Sequence, residues 1–130
     1  MKTKIQPDKQ RAESLKQMAE ITLQRLNETD CEKYPTNTLI DYYDSIHKLL
    51  EAITLKEGIK MRGDGAHQEL IDYVTNLYKL DENTRQFLQQ MRDYRNRISY
   101  EGFMIPKNYI VLNVEKIKKI LQQLEELLKE

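Results

Sequence analysis

The sequence has no tryptophan, one cysteine, four glycines, three prolines and no net charge. Each shortage excludes something. A lone Cys31 rules out an intramolecular disulfide and a multi-cysteine zinc site. Its neighbours Asp30, Glu32 and Lys33 include no activating group, so it reads as a free thiol in a reducing compartment rather than a nucleophile. So little glycine and proline, with 39% hydrophobic and 32% charged residues, argues against a fibrous or disordered chain. The 21 basic residues equal the 21 acidic ones, so no overall field advertises a nucleic-acid coat, and any polyanion site must be local. No stretch approaches the roughly 20 apolar residues of a membrane span, and the N-terminal Met1 to Pro7 lacks the apolar run of a signal peptide. A cytoplasmic protein without a membrane partner is implied. At 130 residues the chain reads as a single domain, 1–130.

Catalytic and metal motifs are scarce as well. Helical bundles that hold paired metal ions use two Glu-x-x-His motifs, whereas this chain has only the approximation Asp44-x-x-His47, so neither a metal nor a cofactor is expected. The Gly-punctuated run from Lys56 to Gly65 carries Lys56, Lys60 and Arg62 but matches neither phosphate-loop nor dinucleotide spacing. Ser-His-Asp and Cys-His arrangements find no elbow or strand to sit on.

What is present is helical periodicity. Pro7-Asp8 opens a first helix with a stripe of Ala12, Leu15, Met18, Ala19 and Leu26. Turn residues from Asn27 to Asn37 end it. Leu39, Tyr42, Tyr43, Ile46, Leu49, Leu50 and Ile53 then keep helical spacing without a miss. Thr36, Asn37 or Thr38 can cap this second helix, and Gly58 can stop it. Its tyrosines read as core rings with a polar tip. Leu70, Ile71, Val74, Leu77 and Tyr78 mark a shorter third helix. Asp81 is a natural cap for a fourth, running to about Ser99 or Tyr100, with Phe87, Met91, Tyr94 and Ile98 as its apolar stripe. Phe103 to Leu112 reads as a connection and Asn113 as the cap of a last helix, with Leu112 and Ile117 as its hydrophobic staple. Val114, Ile117, Leu121, Leu124 and Leu128 carry that helix to the C-terminus. Five helical patterns and no convincing strand predict an all-α, up-and-down helical bundle.

The densest chemistry lies at the end of the fourth helix. Of seven arginines in the chain, Arg85, Arg92, Arg95 and Arg97 fall here, and no lysine occurs between Lys79 and Lys107. A solvated face would mix the two cations; guanidinium alone suggests planar, bidentate binding of phosphate. On a helical wheel Arg92, Arg95, Asn96 and Ser99 form one polar strip beside the apolar stripe, a set suited to phosphate and ribose oxygens. The plainer alternative is that Arg95 pairs with a carboxylate such as Asp93, Glu101 or one from another helix. Tyr100 stands about 140° from Arg95 around a continuous helix, so the two converge only if the backbone turns after Ser99 or if a second subunit supplies one of them.

Arg95-Asn96-Arg97-Ile98-Ser99-Tyr100 resembles a variant of the R-x4-6-H motif of HEPN domains, all-α bundles named for nucleotide binding in higher eukaryotes and prokaryotes. Tyr42 to Ala52, Lys56 to Lys60 and His67 to Ile71 resemble the second and third helices of archaeal and bacterial members, and the likeness spans roughly residues 38 to 128. It implies a homodimer in which the motifs of two subunits face each other across an RNA-cleaving or nucleotide-binding cleft. It also implies a role in a toxin–antitoxin pair, with a separately encoded nucleotidyltransferase as partner protein. Carried over, Arg95 and Tyr100 would be the catalytic positions of a metal-independent endoribonuclease. Arg92, Arg95, Asn96, Ser99 and Tyr100 would bind the ligand. Tyr100 stands where active members carry histidine, and a phenol of pKa about 10 is a poor base toward a ribose hydroxyl. His47, at the edge of the tyrosine-rich helix, and His67, at a helix start, do not obviously replace it. The expectation is RNA or nucleotide binding with ribonuclease activity weak or lost; the alternative is a non-catalytic partner of the nucleotidyltransferase.

Overall fold

The computed structural model describes residues 1–129, so of the expected domain only Glu130 falls outside it. In chain order the elements are β1 (Lys2–Lys4), α1 (Lys9–Asn27), α2 (Pro35–Glu57), β2 (Ile59–Met61), α3 (Ala66–Leu77), α4 (Glu82–Glu101) and α5 (Lys107–Leu128). The fold is an all-α bundle of five helices with one small sheet.

The helix with the most regular apolar spacing lies at its centre. Leu39, Ile46, Leu49 and Leu50 of α2 are fully buried, as are Ala52, Tyr42 and Tyr43 to within a few per cent. Along its length α2 packs against every other helix, and α1 contributes buried Ala12, Ala19 and Leu26 to the core, with Leu15 and Leu23 partly buried against it. Met18, expected on that stripe, is half exposed, as is Leu77 of α3. Ile117, Ile120, Leu121 and Leu124 of α5 and Leu70, Ile71 and Val74 of α3 complete the main core. A smaller cluster of Leu39, Ile105 and Ile110, flanked by Tyr94, Ile98 and Phe103, closes the end where α4 turns into α5.

Local signals explain most boundaries. Asp8 and Asp81 cap α1 and α4 by accepting from the backbone N–H of Arg11 and Thr84. Gly58 ends α2 in the left-handed conformation at φ 78°, where a Cβ would also lie 2.6 Å from the carbonyl oxygen of Ile5. Two helix starts differ from expectation. The second helix begins at Pro35, whose ring pre-sets the first helical φ, so Tyr34 is its cap. Thr36 and Thr38 instead tie loops down: Thr36 Oγ1 accepts from Ile105 N at 3.0 Å, and Thr38 Oγ1 donates to Cys31 O at 3.2 Å. The fifth helix begins at Lys107 rather than at Asn113, because Pro106 provides the extended cap and Ile110 anchors the added turns in the core. Asn113 is interior and donates to Tyr109 O, while Leu112, expected as half of a staple, is 72% exposed.

The sheet was not foreseen. Lys2–Lys4 pairs antiparallel with Ile59–Met61, with Thr3 opposite Lys60. Three residues per strand are too few for an alternating pattern to emerge from a sequence.

Candidate functional site

The strip on α4 is built from the backbone upward. Asp81 starts the helix, Phe87, Leu88 and Met91 anchor its inner face, and Arg92, Arg95, Asn96 and Ser99 follow on one flank of it. Arg92 Nε donates to Gln89 Oε1 at 2.8 Å. Gln89 Nε2 in turn donates to Gln68 O and to Asp72 Oδ1, both at 3.0 Å, which fixes the amide against the start of α3. Arg95 Nε donates to Asp44 Oδ1 of α2 at 3.2 Å, and its Nη1 to Ser99 Oγ. Among the described residues, Nη2 of Arg95 and both Nη atoms of Arg92 have no hydrogen-bond partner. Both arginines are half-buried, whereas Asn96 and Ser99 are exposed.

The ion pair of Arg95 is thus made across helices, to Asp44 rather than to Asp93 or Glu101. Arg97 turns away from the strip, with its Nε 3.7 Å from Glu101 and its guanidinium 4.2 Å above the ring of Phe103. Tyr100 is 86% exposed, and α4 continues regularly through it to Glu101 before Gly102 reverses the chain at φ 67°. Within one chain, therefore, Tyr100 does not join Arg95. A second subunit is the remaining way to bring them together.

Opposite the strip, α2 contributes residues that sequence reasoning had set aside. Tyr43 is 1% exposed and its hydroxyl is buried without a hydrogen-bond partner. Burial pushes its phenol well above the ordinary tyrosine range, against the lowering pull of Arg92 and Arg95, with Asp44 adding to the rise. One turn on, the His47 ring stacks on that of His67 with centroids 3.9 Å apart and planes inclined by 26°. His47 Nδ1 lies 3.2 Å from Glu51 Oε1, yet burial, followed by His67 and Lys48, holds its pKa down to about 4. His67 sits in the first turn of α3 and is exposed. Beside the pair is a cavity of about 180 Å³ lined by Glu51, Thr54, Lys60 and Met61 along with the two imidazoles. The spacing Tyr43-Asp44-x-x-His47 was a usable signal, since residues three and four apart share a helix face. Nothing in the sequence brings His67 to that face.

Nearly parallel imidazoles direct their in-plane lone pairs side by side, so the pair is not arranged to chelate. Among the described residues, no group of three or more histidine, cysteine or acidic side chains is placed to hold a metal ion. What the seam offers is guanidinium nitrogens, a buried phenol and flat aromatic surface. Among the described residues, no helix is long and apolar enough to cross a membrane. No family model matches the chain, and neither a curated protein nor a solved structure matches it.

Proposed function

We propose that this chain is a HEPN-like protein that binds RNA or a nucleotide through Arg92, Arg95, Asn96 and Ser99, with Tyr100 supplied across a homodimer, and that its ribonuclease activity is weak or lost. The observation that carries this reading is the state of Arg92. Its guanidinium is half-buried and fixed by the neutral amide of Gln89, so it is positioned without being neutralised. A partly desolvated cation with both Nη groups unengaged favours an anion that can accept two hydrogen bonds, and phosphate is such an anion. Arg95 adds Nη2 to the same strip, with Asp44 serving to hold it still. Asn96 and Ser99 provide exposed polar groups for sugar oxygens.

On the same reading, the chain lacks a competent base for cleavage. A general base must take a proton from a ribose hydroxyl near neutral pH. Tyr100 is poorly suited to that, and His47, held near 4, binds protons too weakly to assist. Binding is measured directly by fluorescence anisotropy with a labelled single-stranded RNA. The logarithm of affinity should fall linearly with the logarithm of salt concentration, by about 0.7 per tenfold salt for each phosphate neutralised, and Arg92→Ala should lower that slope. Affinity for RNA unchanged in Arg92→Ala and Arg95→Ala would sink the reading.

A second reading is favoured by one feature. Tyr100, Met104, Val111 and Leu112 are exposed around the turn between α4 and α5, a surface suited to protein. Under it the chain is the non-catalytic partner of a nucleotidyltransferase in a toxin–antitoxin-like pair. A stoichiometric complex with such an enzyme, formed by a chain without RNA affinity, would establish it.

A further inference from the structure

We propose that the exposed face of His67, backed by His47, is a stacking platform for the base of the bound ligand, so that the site takes a single-stranded RNA or a nucleotide and not simply a polyphosphate. This rests on the phosphate-binding reading of Arg92 and Arg95 and adds the group that would recognise the rest of the ligand. Two observations place the imidazole next to the arginines. Gln89 donates to the carbonyl of Gln68, the residue after His67, while its own carbonyl oxygen accepts from Arg92 Nε, so one amide holds both groups. Tyr43 lies between them, its ring 6.3 Å from His47 and 6.5 Å from His67 and its buried phenol in the field of Arg92 and Arg95.

The stack has an inner and an outer side. Both ring neighbours of His67, Tyr43 and His47, belong to α2, so the opposite face of the imidazole is turned outward, and the residue is exposed. His47 is itself braced by Glu51 and packed by Tyr43, which keeps the platform flat and still. Aromatic faces accept any base, because every base has a π-surface, and such contacts are the usual complement to a cationic track for the backbone. Beside the platform, Lys60, Thr54 and Glu51 line the cavity with donors and acceptors for a base edge.

The test compares two ligands on the full chain: a short fluorescent oligoadenylate and inorganic tripolyphosphate, which has the charge but no base. His67→Ala should weaken oligoadenylate binding about fivefold to tenfold, the low end of a base–aromatic stack, and leave tripolyphosphate unchanged. His67→Phe should restore the lost affinity, since a flat ring remains. Arg92→Ala should weaken both ligands. Because His67 is exposed, an unchanged melting curve is expected for each His67 variant. If His67→Ala leaves oligoadenylate affinity intact while Arg92→Ala lowers it, or if it weakens both ligands equally, the platform is refuted and the phosphate site stands. A wild-type chain that binds neither ligand refutes both.

Discussion

Two ends of one helix use the same side chain in opposite ways. Near the start of α4, Arg85 donates from Nε and Nη2 to Glu82 and from Nη1 to Asp72 at 3.0 Å, so its fork is closed by two carboxylates. Its guanidinium holds Glu82 below the usual carboxylate range. Two turns on, Arg92 has a single amide for company, and Arg95 shares one carboxylate and one hydroxyl. Both ends look alike in a count of arginines. They differ in how much of the charge is already matched, and that residue of unmatched charge is what a ligand can use. Arg85 ties α3 to α4; Arg92 and Arg95 are held but left open.

The most direct way to break this contrast is to remove the open pair. An Arg92→Ala/Arg95→Ala double variant should lose about a hundredfold in affinity for single-stranded RNA, as expected for two charge-assisted hydrogen-bonding groups worth about 1.5–3 kcal/mol each and not fully additive. Anisotropy at fixed ionic strength reads it, with circular dichroism to show that the fold persists. A loss below about threefold would mean that the open end is no more a binding site than the closed one.

A second effect belongs to the open end alone, since both imidazoles are there. The folded chain holds His47 near pKa 4, whereas an unfolded histidine titrates near 6.5, so the unfolded state binds more protons between those values. His47 therefore contributes stability that is complete above about pH 6.5 and is lost as pH falls toward 4, in total about 3 kcal/mol. Chemical denaturation of the wild type and of His47→Gln across that window isolates the term, because the carboxylates titrate in both. Parallel curves would show that the imidazole is not buried against His67 and Tyr43 as described.

The electrostatic part of the contrast can be sharpened by editing a single charge. Asp44→Asn keeps an oxygen for Arg95 Nε but removes the negative charge, making the open end more positive. RNA affinity should rise about threefold, with a steeper dependence on salt. A fall would mean that Asp44 does more than hold Arg95 in place.

How much of this was legible depended on the distance over which each feature is specified. The spacing of Leu39, Tyr42, Tyr43, Ile46, Leu49 and Leu50 announced α2 because periodicity is local and every position in the run obeys it. Caps such as Asp81 and Gly58 were legible for the same reason. The start of α5 was misplaced because Asn113 resembles a cap and Leu112 half of a staple; Pro106, seven positions earlier, wins once Ile110 is buried against Leu39 and Ile105. The strip Arg92, Arg95, Asn96 and Ser99 followed from a wheel, but the partner of Arg95 lies 51 positions away on α2, and only packing selects Asp44 from the many carboxylates available. The His47–His67 stack was invisible for that reason too: one ring is fixed by a helix register and the other by a turn through Gly63 and Gly65, whose left-handed backbones set where α3 begins.

The smallest effect is expected where the ion pairs are most numerous. Arg85→Ala deletes contacts to both Glu82 and Asp72, yet all three side chains are a third or more exposed, so water and salt screen them. Stability should fall by less than about 1 kcal/mol. Gln89 still ties α4 to Asp72 and to the Gln68 carbonyl, so Arg92 keeps its support and RNA affinity should not change. This variant also removes a positive charge from the same helix as Arg92→Ala does, which makes it the control for nonspecific attraction. If Arg85→Ala weakened RNA binding as much as Arg92→Ala, the ligand would be responding to the summed charge of α4, and the matching of each guanidinium by its neighbours would be irrelevant to where it binds.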